Sequence, residues 1–239
     1  GRDDLTSHLR QLRTLQPHAP RLVSTFQATS PSLWGVTDRD TLGPNELMRR
    51  LGEVLAAGAQ YVVDPFHGGT SFGFNGGRYA GPDGGFLATD VAADAPLGEA
   101  GERTPTYHAM KRITTFADSF DHVFTELEPD YHPVVLDVDE IPSAGTKSNV
   151  VSIMPLRGSQ GRVVFLLSNG KAKSTTLVLD GGVRLQVPLG DELVSWLLVG
   201  ADLKGSGHLD YTNLRPYAIV DRAVVCLLYT SDAADEVLG

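Results

Sequence analysis

Cysteine is nearly absent from this chain of 239 residues; Cys226 is the single one. One thiol closes no intramolecular disulfide, builds no cysteine-rich metal site and leaves the redox compartment unread. Basic residues are also scarce, 20 against 29 acidic ones, for a formal net charge of -9 and a pI near 5.2. Binding a polyanion depends on clustered Lys and Arg, so nucleic acid is not an expected partner. Long hydrophobic runs are missing too. A bilayer span takes about 18 or more consecutive apolar residues, so no membrane partner is expected. The opening GRDDLTSHLRQL carries no apolar signal region and starts inside a charged helical pattern, as a piece of a longer protein would.

Glycine, by contrast, is concentrated in one stretch. Gln60 to Phe86 reads QYVVDPFHGGTSFGFNGGRYAGPDGGF. Tyr61 to Val63 is aromatic and β-branched, hence strand-prone, and Asp64-Pro65 ends the run because proline has no ladder donor. Phe66-His67-Gly68-Gly69-Thr70 then falls at the carboxyl end of a buried strand, where loops carry the active site of (β/α)₈ barrels. The glycines allow close approach of backbone to a ligand. Phe72, Phe74 and Tyr79 add flat apolar faces, a combination suited to a sugar. The competing reading is a flexible connector. A phosphate loop is excluded, since neither G-x-x-x-x-G-K-[ST] nor G-x-G-x-x-G opening a helix is present.

HGGTSFGF at 67–74, followed by DAPLGEAGERTPTYHAMKRI at Asp94 to Ile113, resembles the last-strand segment of the glycoside hydrolase family 35 β-galactosidases. Their pattern is of the HGGTNFGF type, then YDYDAPLDEAG and a TPKYxALR-type helix. The likeness covers roughly 1–120 and, more weakly, the β-rich region beyond. It implies a (β/α)₈ barrel, a β-galactoside or related glycan as substrate, no cofactor, and a secreted or periplasmic setting. It also assigns substrate contact to Trp34, His67, Gly68, Gly69, Thr70, Phe72 and Asp94.

Taken in order, Leu5, Leu9 and Leu12 follow helical spacing, with Asp3 and Asp4 at the positive end of the helix dipole. Pro17 and Pro20 stop that helix, and Arg21 to Thr25 reads as a strand. The turn-rich segment after it holds Trp34, either a plug under the loop or a residue facing the site. Pro44 opens a second helix with a stripe of Leu47, Leu51, Val54 and Leu55; Glu46 and Glu53 fall toward solvent. Thr104-Pro105 caps a third, whose face is Tyr107, Met110, Ile113, Phe116 and Phe120. From Asn149 the period becomes two. Strands are expected at Val150–Met154, Arg162–Leu167, Thr175–Leu179, Val183–Val187, Leu193–Val199 and Tyr217–Val225, with a hairpin turn at Asp180-Gly181-Gly182.

The expected fold class is α/β plus all-β: the C-terminal part of a (β/α)₈ TIM barrel followed by an antiparallel β-sandwich. The expected domains are a partial barrel at 1–120, a linker at 121–148, the sandwich at 149–225 and a non-native tail at 226–239. Cys226 to Glu236, CLLYTSDAADE, resembles the conceptual translation of a sequencing adapter. Trp196 and Tyr211 read as core and rim residues of the sandwich.

Retaining glycoside hydrolysis uses two carboxyl groups about 5 to 5.5 Å apart. The resemblance implies a glutamate in an NEYG-type motif, which this sequence does not contain, and another before the WG segment. Against a VTEFWSGWYDFWG pattern, Val23 to Gly35 reads VSTFQATSPSLWG, so Thr25 holds the nucleophile's place. A threonine hydroxyl does not replace an ionised carboxylate without an activating base. Val91 and Ala93 replace the family's paired tyrosines. Asp64 and Asp38 are the candidates for a relocated nucleophile, with turn capping the other role for Asp64. His67 either touches sugar or holds the loop. The parent is expected to be a β-galactosidase-type glycosidase, with this chain inactive alone; the alternatives are a divergent glycosidase or a non-catalytic carbohydrate-binding protein. Oligomeric state is not legible.

Overall fold

The computed structural model describes residues 5–36, 42–80, 84–130, 135–136 and 151–227. Asp38, the tail from residue 228 and most of the expected linker lie outside them.

The amino-terminal third forms one βαβ unit. Helix α1 (Leu5–Leu15) leads into strand β1 (Leu22–Phe26), helix α2 (Pro44–Ala56) and strand β2 (Gln60–Val63). β1 and β2 are parallel, with Leu22 opposite Gln60 and Phe26 opposite Val63. Pro44 occupies the first turn of α2, where its missing N–H leaves no helical bond unmade. The expected stripe is buried, with Met48 added. Glu46 and Glu53 pair with Arg50 and Arg49 one turn along the helix, at 3.7 and 3.2 Å. Both glutamates therefore serve the outer surface of α2.

A long loop joins β2 to helix α3 (Pro105–Ser119). The Thr104 hydroxyl accepts from the Tyr107 N–H, forming the expected cap. The same hydroxyl donates to the carbonyls of Ala95 and Pro96 at 2.9 and 3.1 Å, tying the helix start to the loop.

The stretch expected to be a linker contributes structure to both neighbours. Helix α4 (Asp121–Phe124) buries Val123. Strands β3 (Glu128–Pro129) and β4 (Val135–Leu136) each edge a different sheet. Beyond it come β5 (Val151–Gly158), β6 (Gly161–Ser168), β7 (Ser174–Val178), β8 (Arg184–Pro188), β9 (Val194–Asp202), β10 (His208–Tyr211), β11 (Arg215–Val220) and β12 (Ala223–Leu227). One sheet has the order β10-β9-β6-β5-β3, a second β4-β7-β8, and β11-β12 is a separate hairpin. All three are antiparallel. Asp180-Gly181-Gly182 does connect β7 to β8.

The run expected as a single strand, Tyr217–Val225, is instead the β11-β12 hairpin. Asp221 and Arg222 make its turn, and Asp221 takes a φ of 54°, a left-handed conformation that Asp tolerates better than most residues. Two polar residues inside an apolar run are a weak signal for a reversal. β12 takes in Cys226 and Leu227, the first two residues of the stretch read as non-native; burial pushes the Cys226 thiol up. Strand β10 had no expectation, because GSGHLDYT reads as polar loop.

The five-stranded sheet is covered on both faces, which explains the nearly continuous apolar run in β6. Val163, Phe165 and Leu167 join Trp196 and Leu198 in a cluster with α2 and α3 residues. Val164, Leu166 and Leu197 join Leu177, Leu185 and Val187 of the smaller sheet. At the first junction, Phe116 of α3 stacks on Trp196 with centroids 5.4 Å apart and planes 23° from parallel. The Trp196 Nε1–H donates to the Pro216 carbonyl at 2.8 Å. The helices and the large sheet thus share one hydrophobic core.

Candidate functional site

Two loops leave the carboxyl ends of adjacent parallel strands: one after β1, at residues 27–36, and one after β2, beginning at Asp64. Backbone hydrogen bonds join them into a layer. Ser32 N–H donates to Val91 O at 2.9 Å, Trp34 N–H to Phe86 O at 2.8 Å and Ala88 N–H to Ser32 O at 2.8 Å. Asp64 N–H donates to Phe26 O at 3.2 Å, which starts the second loop beside the end of the first strand.

Within the second loop, the HGGT segment lies against 89–99. Gly68 N–H donates to Leu97 O at 2.9 Å and Ser71 N–H to Thr89 O at 2.8 Å. Gly68 is buried, and a Cβ there would stand 2.6 Å from the Ala92 carbonyl oxygen, so only glycine permits this approach. Gly69 next to it has a φ of +71°. Thr70 Oγ1 donates to Glu99 Oε1 at 2.7 Å, and the His67 ring nitrogen Nε2 lies 3.2 Å from the Glu99 carbonyl oxygen. His67 and Thr70 are therefore held from one residue, and the loop-holding reading of His67 has a partner.

Aromatic faces crowd the outer side of this layer. Trp34, Phe72 and Phe74 are 57%, 73% and 78% exposed. Phe74 meets Phe86 edge-on at 5.9 Å, and the Arg78 guanidinium sits 5.3 Å from the Phe86 ring centre. Beneath the layer, Tyr61 packs 6.1 Å from Phe26; burial pushes its phenol up to about 12.

Among carboxylates, Asp94 accepts from the Thr29 hydroxyl of the first loop. Its Oδ2, and Oδ1 of Asp90, are buried without a hydrogen-bond partner among the described residues. Asp90 faces Thr70 in a β-bridge. Asp64 and Thr25 are both exposed. The layer thus brings together Trp34, His67, Gly68, Gly69, Thr70, Phe72 and Asp94, with Asp64 at its root and Thr25 on the strand below. Sequence reasoning did not single out Thr29, Asp90 or Glu99 as site residues. The acid in TSFGF…ATDVAADAP was readable as polar, but its place opposite Thr70 depends on the loop folding back. Among the described residues no cluster of three or more His, Cys, Asp or Glu could hold a metal ion, and no helix is long and apolar enough to cross a membrane.

Residues 1–117 match the profile of glycosyl hydrolases family 35. The chain is 33% identical over 113 residues to Beta-galactosidase-1-like protein of Mus musculus, covering 46% of this chain and 17% of that protein. It is 28% identical over 103 residues to Beta-galactosidase-1-like protein 3 of Rattus norvegicus, covering 43% and 16%. The match spans about a sixth of the length of these curated relatives. With HGGTSFGF, the DAP element and the capped α3 all inside it, the segment 1–117 belongs to glycosyl hydrolases family 35 as a partial and divergent member.

Proposed function

We propose that residues 1–120 are the C-terminal part of a (β/α)₈ glycosidase barrel, joined through 121–148 to an antiparallel β-sandwich at 149–225. The protein of which this is the relevant part acts on β-galactosides or related glycosides by a retaining mechanism. The observation that carries this reading is the layer above β1 and β2, where the rings of Trp34 and Phe72 are exposed and the same pair of hydrogen-bonded loops carries Asp90 and Asp94, each with a buried carboxylate oxygen that has no hydrogen-bond partner among the described residues. A buried acceptor left unpaired costs about 1–3 kcal/mol. In a sugar complex the C–H face of a pyranose covers an aromatic ring, and its hydroxyls bond polar groups carried on the same loops. Leu22 and Val62, both exposed on the two-stranded parallel sheet, support a barrel, in whose interior side chains of opposing strands would cover them.

Turnover is a separate matter. Thr25 stands in the nucleophile's place, and a hydroxyl of ordinary acidity is a poor substitute for a carboxylate. The chain by itself is therefore a glycan binder without turnover. Asp64 supports a second reading, a relocated nucleophile, because its backbone is bonded to Phe26, the residue after Thr25.

The test is to titrate the chain with galactose and lactose and to assay it on an aryl β-galactoside. Loss in Trp34→Ala of a part of the binding that Tyr211→Ala leaves in place, with no turnover, is the expected result. Turnover abolished by Asp64→Asn would move the reading to the relocated nucleophile, and failure to bind either sugar would sink it.

A further inference from the structure

A pocket lies on the β-rich region, sharing no residue with the layer above β1 and β2. Its volume is about 560 Å³, within the range of small-molecule sites, and its walls include Arg157, Arg162, Asp180, Val183, Asp210 and Tyr211. These come from the β5-β6 hairpin, the β7-β8 turn and β10, so both sheets contribute.

The arginines are fixed before any ligand arrives. Arg157 Nε donates to Asp130 Oδ2 at 3.0 Å, and Arg162 Nε lies 3.4 Å from the same oxygen, on a carboxylate that is nearly fully buried. Arg162 Nη1 donates to Asp180 Oδ2 at 2.6 Å, with Arg157 Nη2 3.8 Å from that oxygen. Two guanidinium groups held between two carboxylates are rigid and balanced in charge. Asp210 and Tyr211 of β10 line the same pocket; among the described residues their side chains make no hydrogen bond, ion pair or ring contact, and Tyr211 is 45% exposed.

We propose that this pocket is a binding site for a neutral sugar, of mono- to disaccharide size, independent of the first. Planar guanidinium donors, an uncommitted carboxylate acceptor and an open aromatic ring together match the hydroxyl edge and C–H face of a pyranose. Charge narrows the class. The Arg and Asp groups of the network cancel, so Asp210 leaves the pocket with one negative charge, which disfavours phosphates and uronic acids. A single free carboxylate is also too few ligands for a divalent cation.

The experiment is ligand-observed NMR on the whole chain with lactose, cellobiose and xylobiose, and with galacturonate and inorganic phosphate as anionic probes. Tyr211→Ala and Asp210→Asn, both at exposed positions, are measured beside Trp34→Ala. The expected result is binding of at least one neutral disaccharide that weakens at least about tenfold in Tyr211→Ala and Asp210→Asn and persists in Trp34→Ala. No disaccharide binding, binding indifferent to Tyr211→Ala and Asp210→Asn, or preference for either anion overturns the proposal. The first site fails separately, by losing only the signal that Trp34→Ala removes.

Discussion

Thr70 and Glu99 are joined across 29 residues by a 2.7 Å hydrogen bond between hydroxyl and carboxylate. The backbone carbonyl of the same glutamate meets His67 at 3.2 Å. One residue thereby pins both polar members of the HGGT segment against the far side of the loop.

Removing that pin should loosen the site and leave the fold standing. The bond is exposed, so its net worth sits at the low end of about 0.5–1.5 kcal/mol. Glu99→Ala is expected to speed amide hydrogen exchange at Gly68 to Phe72 with little change in overall denaturation midpoint. Unchanged exchange there would show that the backbone bonds hold the loop unaided.

The two neighbouring glycines should respond differently to alanine. At Gly68 the new methyl meets the Ala92 carbonyl oxygen, a backbone atom that cannot swing away. Gly68→Ala is expected to cost about 1–3 kcal/mol by overpacking and to part the loop from its 89–99 backing. At Gly69 nothing lies within 4 Å of the added Cβ, leaving only the left-handed backbone cost of about 1–2 kcal/mol. Urea denaturation gives both values, and galactose affinity should fall more in Gly68→Ala.

Phe116 links the helices to the large sheet through Trp196, and both are fully buried. Phe116→Ala is expected to cost about 3–5 kcal/mol. Because the cluster is shared, the Trp fluorescence and far-UV circular dichroism transitions of the unmodified chain should coincide. Two separated transitions would show that helices and sheet unfold independently.

Tyr61 predicts an alkaline weakness. Burial raises its phenol from 10.0 to about 12 in the folded chain, so between those values the unfolded state has released a proton that the folded state keeps. Stability therefore falls as pH rises through that window and is unaffected below it. Tyr61→Phe should flatten that decline, measured as denaturation midpoint against pH; an identical decline in the variant would exclude Tyr61 as its source.

The elements legible in the sequence are those whose signals are local. The α2 stripe of Leu47, Leu51, Val54 and Leu55, the Thr104-Pro105 cap and the Asp180-Gly181-Gly182 turn each depend on residues a few positions apart, and each stands where its spacing put it. HGGTSFGF and the DAP element carried the family likeness for the same reason, since short motifs survive where tertiary context is unseen. The hairpin hidden in Tyr217–Val225 was not legible, because Asp221 and Arg222 interrupt an apolar run too briefly to announce a reversal.

Long-range partnership was the part only tertiary structure decided. Nothing between Thr70 and Glu99, or between Thr29 and Asp94, marks them as partners; the loops must first close over β1 and β2. The same holds for Phe116 against Trp196, 80 residues apart in sequence, and for a sheet covered on both faces. Local propensity selects elements residue by residue, whereas which side chains meet is set by how whole faces exclude water.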